Sequence, residues 1–257
     1  MKERSGASPL DPAQRAVLQA AIGSPETPDY ALIRAVAALD DGETRRMGRL
    51  TAMGRPFVTG ARRTIRERGA SALLDDPPSP QERLLDVATA RIRAGHADFA
   101  MREIEREAEI PHRTVYNAYT KTALVQACRR RAQTVWRTRY ERRVLLAHQD
   151  PARRPVTAID LILAWVGSAQ FAGDQALRIR PDFTRERRDD DLREHIDELV
   201  RFGTTIADEA EMLLPEQYGV YLAATVEGAA AWFDRRSAGY AAAIMMVETL
   251  LARSRTI

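Results

Sequence analysis

Apolar residues recur at helical spacing along almost the whole chain. Leu84, Leu85, Val87, Ala88 and Ile92 fall on one face of a helix that Gly95 would end, and Met101, Ile104 and Ala108 make a narrower stripe on the next, which Asp98 can cap. A tight turn near Glu109-Ile110 leads to Pro111, which can open a short third helix holding Val115 and Tyr119. Thr122 to His148 reads as one long helix carrying Val125, Trp136 and Tyr140. Farther on, Ile159, Ile162, Leu163, Val166 and Phe171 form a strong stripe. Leu192, Ile196, Leu199, Val200 and Phe202 form another, continued by Ile206, Ala210 and Leu213. Alternating patterns are short and β-branched residues are scattered, so the expected fold class is all-α.

Breaks in the pattern suggest three parts. Asp75-Asp76-Pro77-Pro78-Ser79-Pro80 reads as an interdomain linker, with weaker breaks at Gln149–Pro155 and Arg180-Pro181-Asp182. This predicts a helical extension over 1–76, a compact helical module over 80–125 and a helical domain over 126–257. In the extension, Asp11 can cap a helix that has Pro12 at its first position, and Tyr30 to Leu39 is a second apolar run.

Composition narrows the setting. The net charge is only +3 over 257 residues, so any nucleic-acid contact must come from local clustering. Cys128 is the sole cysteine, which excludes an intrachain disulfide and reads as a structural thiol in a reducing cytoplasm. No apolar run approaches the roughly 20 residues of a membrane span, and no signal-peptide pattern opens the sequence. There is no glycine-rich phosphate loop, nucleophile elbow or paired-histidine metal motif, so no enzyme activity and no cofactor are expected.

The module at 80–125 carries the chemistry. Two short helices joined by a turn and propped by a longer one have the geometry of a helix-turn-helix, whose second helix fits a major groove about 12 Å wide. His112, Arg113, Thr114, Tyr116 and Asn117 crowd two turns of that second helix. Arg can read guanine bidentately, Asn can read adenine, and hydroxyls can hold phosphates; Lys121 can place its ammonium on the DNA backbone.

In the order LLDVATARI, then MREIEREAEIPHRTVYNAY, then Lys121 and Ala123-Leu124, the chain resembles the tetracycline-repressor (TetR) family of bacterial regulators. The resemblance covers about 45 residues. It implies a homeodomain-like DNA-binding domain followed by a helical ligand-binding and dimerisation domain. It also implies repression of transcription until a small molecule binds. By that resemblance Arg102 matches a DNA contact on the second helix, while His112, Arg113, Thr114, Tyr116 and Asn117 fall in the recognition helix. Lys121 matches a phosphate-contacting lysine. Glu109 stands at the turn position that the family usually fills with Gly, and Pro111 at its usual Ser.

Three regions add to this reading. The stretch 42–69 also has a helix-turn-helix rhythm. In it Met47 and Leu50 face a core, Ala52-Met53-Gly54 turns, and Val58, Ala61 and Ile65 continue the stripe. Arg62, Arg63, Arg66 and Arg68 would form its basic face, either merely solvated or a second DNA contact. Arg129-Arg130-Arg131 reads as a solvated face, with supplementary phosphate contact as its alternative. In the last domain Trp165, Phe171, Phe183, Phe202, Tyr221 and Trp232 are candidates to line a pocket for a small apolar or amphipathic ligand, each also an ordinary core residue. His195 lies among acidic residues that read as a solvated helix start, and no metal is expected. The small-residue-rich runs Tyr218–Phe233 and Tyr240–Leu251 suit an intersubunit bundle or an intrachain core. The expected protein is a cytoplasmic homodimeric repressor on a double-stranded DNA operator. The alternative is a helical interaction adaptor or anti-activator with a degenerate helix-turn-helix.

Overall fold

A computed structural model describes residues 10–39, 54–114, 119–177 and 190–231. Among the described residues every regular element is helical, and no helix is long and apolar enough to cross a membrane. Contacts divide the chain inside one long helix. Residues up to Arg139, with Leu177, form one unit, and Tyr140 onward forms the other.

The first unit begins with α1 (Pro12–Gly23), α2 (Asp29–Leu39), α3 (Gly54–Arg68) and α4 (Ala70–Asp75). Asp11 and Gln14 make a reciprocal capping box ahead of Pro12. Leu18, Ala35, Ala38, Ala61, Ile65, Ala70 and Leu73 pack into one core among these four helices. Ala61 and Ile65 therefore lie inward as the sequence stripe requires. Helix α3 already starts at Gly54, where a turn was expected; Met47, Leu50 and the preceding turn residues lie outside the described residues. Arg68 is not merely solvated, because its guanidinium forks onto both oxygens of Asp76 at 3.0 and 3.1 Å.

Helices α5 (Pro80–Arg93), α6 (Met101–Ala108) and α7 (Lys121–Ala147) follow. The proline-rich junction before α5 does not separate two units. Arg34, alone among the apolar residues of α2, reaches across it with all five guanidinium donors occupied. Nε and Nη2 grip the Glu82 carboxylate at 2.9 and 2.6 Å, Nη1 reaches the carbonyls of Leu73 and Asp76, and Nη2 that of Pro77. Glu82 also closes the capping box of α5 by accepting from Ser79 N–H at 2.7 Å. One buried carboxylate thus starts a helix and anchors the extension. Leu32 and Ile33 of α2 pack on Val135 of α7, and Arg139 donates to the Thr27 carbonyl at 2.8 Å and pairs with Asp29.

Helix α7 is polar in sequence yet buried on several sides. Arg131, 3% exposed, pairs with Asp86 of α5, which removes it from any solvated or phosphate-facing role. Burial raises the Asp86 carboxyl, against the opposing pull of Arg131. Cys128 is fully buried and its thiol faces the Leu85 carbonyl at 3.7 Å. Burial pushes that thiol up, as expected for an unreactive structural cysteine.

The second unit holds a 3₁₀ turn (Pro151–Arg153), then α8 (Arg154–Val166), α9 (Phe171–Ala176), α10 (Asp190–Glu209) and α11 (Pro215–Ala231). Tyr140 and Tyr218 donate to the carbonyls of Ala158 and Pro155 on α8, at 3.0 and 2.6 Å. Burial drives both phenols upward. Helices α10 and α11 touch through Gly203 and Gly219; a Cβ on Gly219 would lie 2.4 Å from the Val200 carbonyl. Glu211, in the left-handed region at φ 54°, ends the α10 segment. Leu213, assigned to the buried stripe by its spacing, therefore falls in the turn and is 64% exposed.

Two stability outcomes follow from these contacts. Arg34→Met leaves Glu82 buried without its cation and should cost about 3–5 kcal/mol in urea unfolding; a loss below about 1 kcal/mol would deny the pair its structural role. Gly219→Ala forces a methyl into backbone and should cost about 1–3 kcal/mol. An unchanged unfolding midpoint would contradict the close helix approach.

Candidate nucleic-acid interface

Helix α5 ends as its sequence dictates. Gly95 adopts φ 87°, its N–H bonds to the Ile92 carbonyl at 3.0 Å, and His96 N–H bonds to that of Arg91 at 2.9 Å. Those are the paired bonds of a Schellman cap. The chain then turns through Phe99, 2% exposed, into α6. Asp98 does not cap α6. The N-cap position is Ala100, without a side-chain bond, and Asp98 instead pairs with Lys121.

The end of α6 repeats the Schellman pattern with a residue poorly suited to it. Glu109 sits at φ 54°, ψ 47°, its N–H bonding to Arg106 at 3.4 Å and Ile110 N–H to Glu105 at 3.1 Å. Ile110 is buried beyond the turn, and Ile104 is buried on the helix before it. Chain direction therefore changes within two residues. Helical backbone resumes at 112–114, where Thr114 N–H bonds to the Pro111 carbonyl at 2.9 Å.

The charges around this turn fall into two sets. Glu103 and Glu107, one turn apart on α6, both bind Arg91 of α5, at 2.8 and 2.7 Å. Glu105, mostly buried, takes His112 Nδ1 at 2.8 Å and so ties the resumed helix to α6. Asp98 takes Lys121 Nζ at 2.6 Å, and that hydrogen bond, then the charge of Lys121, holds the Asp98 carboxyl below the usual carboxylate range. In contrast Arg102, Arg106 and Arg113 are exposed, and among the described residues no ion pair or hydrogen bond engages them. Arg106 did not emerge from the sequence, although it lies one turn after Arg102 on the same α6 face; that i, i+4 spacing was the available signal.

The remaining candidates are placed as follows. Thr114 is exposed; Tyr116 and Asn117 lie outside the described residues. Lys121 is the first residue of α7, behind Thr120, whose hydroxyl accepts from Ala123 N–H at 3.2 Å. Its ammonium also lies 5.5 Å from the Phe99 ring centre.

Comparison of the chain with protein-family models, curated proteins and solved structures returns no match.

The aromatic candidates of the second unit form two separate pairs. Trp165 meets Phe171 edge-on at 4.7 Å between ring centres, and its indole N–H donates to Asp174 at 3.1 Å. Phe202 instead stands 6.0 Å from Tyr140. Tyr221 is half-buried, while Phe183, Trp232 and the run 240–251 lie outside the described residues. His195 is 2% exposed and Glu198 6%, so these two are buried, whereas Asp197 is exposed and the side chains of 189–191 lie outside the described residues. His195 Nε2 lies 3.6 Å from Glu227, and no group of three potential metal ligands occurs among the described residues.

Glu109 offers a direct check on the turn. Glu109→Gly relieves a left-handed side chain and should stabilise the protein by about 1 kcal/mol in urea unfolding. Destabilisation would contradict the left-handed turn.

Proposed function

We propose that the chain is a sequence-specific DNA-binding transcriptional regulator. Its reading head would be a homeodomain-like helix-turn-helix of the TetR pattern, made by α5, α6 and the helix that resumes after Pro111. The observation that carries this is the sorting of charge. Glu103, Glu105, Glu107 and Asp98 are occupied by internal partners, whereas Arg102, Arg106 and Arg113 are exposed and unengaged.

Arg102 and Arg106 share one face of α6 and can straddle backbone phosphates. Arg113, early on the following helix, has the reach and fork geometry for a guanine edge. His112, with Nδ1 held by Glu105, acts as a strut setting the angle of the reading helix. Thr114 is exposed beside them, and Tyr116 and Asn117, next in sequence, carry the hydroxyl and amide suited to phosphate and adenine contacts. A twofold homodimer would present two such heads to major-groove turns about 34 Å apart on the operator.

The protein would act as a repressor. An apolar or amphipathic ligand in the second unit would release it by binding more tightly to a form with a different head spacing. The two aromatic pairs, Trp165 with Phe171 and Phe202 with Tyr140, are the surfaces such a ligand would enter between or displace. The adaptor or anti-activator reading remains the competitor, favoured by Glu103, Glu105 and Glu107, which repel phosphate wherever their partners are lost, and by the exposed Glu109 at the turn itself.

Selection of bound fragments from genomic DNA, at stated salt with competitor, tests the reading. It expects a recurrent sequence with twofold character, enriched by the wild type and lost on Arg113→Ala with the fold and dimer intact. Equal enrichment by that variant would misplace the reading head. No enriched sequence for the wild type would favour the adaptor.

A further inference from the structure

Lys121, assigned above to a DNA phosphate, already holds an oxyanion. Its ammonium meets Asp98 Oδ1 at 2.6 Å while lying beside the Phe99 ring. Phe99 is buried, so the lysine lies over an apolar ring set into the core. The Asp98 side chain, 103% exposed, approaches from solvent. An aspartate oxygen at this distance has the charge and spacing of a phosphate oxygen in the same bond.

Both cannot occupy the ammonium without crowding like charges together. A lysine also suits such an exchange. It is a compact point charge on a flexible stem, whereas arginine would commit a planar fork to one acceptor. The chain has only two lysines, Lys2 and Lys121, among 39 basic residues, and one of them stands here.

We propose that Asp98 is a built-in competitor for Lys121, a stand-in phosphate that duplex DNA must displace. The proposal rests on the DNA-binding reading. Its action is independent of sequence, because a lysine–phosphate contact carries no base information. Asp98 therefore sets the overall affinity and leaves base choice to the reading helix.

The test uses the full chain and a labelled mixed-sequence duplex of about 20 base pairs, with affinity read by fluorescence anisotropy across a salt series. Asp98→Asn should tighten binding roughly two- to five-fold at low salt, the range of an exposed ion pair, with its thermal midpoint unchanged. Lys121→Met should weaken binding and lower the salt slope by about one. The decisive comparison is the double variant, which should bind no better than Lys121→Met alone. An equal gain in the Lys121→Met background would show Asp98 acting on DNA directly and overturn the competitor, as would no gain in the single variant. Absence of any wild-type binding would overturn the DNA-binding reading itself, and the competitor with it.

Discussion

A guanidinium buried in the first unit governs how the rest of that unit is assembled. Arg34 is 7% exposed and Glu82 3%, so neither charge can fall back on water. Burying such a pair is favourable only when its remaining donors and acceptors are met. Here they are met by two oxygens of Glu82 and by the backbone carbonyls of Leu73, Asp76 and Pro77. The requirement is geometric as well as energetic. The end of α4, the proline-rich junction and the first turn of α5 must converge on one side chain of α2. A junction rich in proline, with few backbone donors of its own, suits this task because carbonyls are what Arg34 needs.

Charge pairing then organises the turn beyond α5. Arg91 secures α6 through two glutamates a turn apart, and Glu105 holds the start of the next helix through His112. These contacts are partly exposed, and each contributes little to stability. Their effect is selective. They occupy the glutamates that flank Arg102 and Arg106 on α6 and leave those two arginines available. In a chain whose net charge is only +3, Arg102, Arg106 and Arg113 are thereby left as exposed guanidiniums with no internal acceptor among the described residues.

Much of this was legible in the sequence, for identifiable reasons. Leu84, Leu85, Ala88 and Ile92 are buried as their spacing requires, and Gly95 ends their helix because its backbone tolerates φ 87°. Capping by Asp11 with Pro12 was equally plain. Periodicity failed where long-range partners decide. Asp98 has the chemistry of a cap, yet Lys121, 23 residues on, claims it. The Arg129–Arg131 run looks like a solvated face until Asp86 draws Arg131 inward. The proline-rich junction looks like a boundary because composition cannot reveal that Arg34 gathers its carbonyls. One signal was present: an arginine amid the apolar run of α2, opposite a Ser79-x-x-Glu82 capping box. In the candidate interface, residue chemistry brought Arg113 and Lys121 forward and the family resemblance brought Arg102, but neither could separate engaged cations from unengaged ones.

The extension's place in the first unit changes how its basic residues must be judged. Removing residues 1–76 would do more than strip Arg63 and Arg66 from α3. It would leave Glu82 buried without a cation, take the packing of Leu32 and Ile33 from Val135, and remove the acceptors of Arg139. Altered DNA binding in a truncated chain would therefore reflect a misplaced α5 and α7 as readily as a lost phosphate contact. Arg63 and Arg66 are exposed, and the core of the extension depends on Ala61 and Ile65 from the opposite side of the same helix. Charge-removing substitutions at those two arginines keep the Arg34 junction intact. They separate what the extension contributes as a surface from what it contributes as a brace.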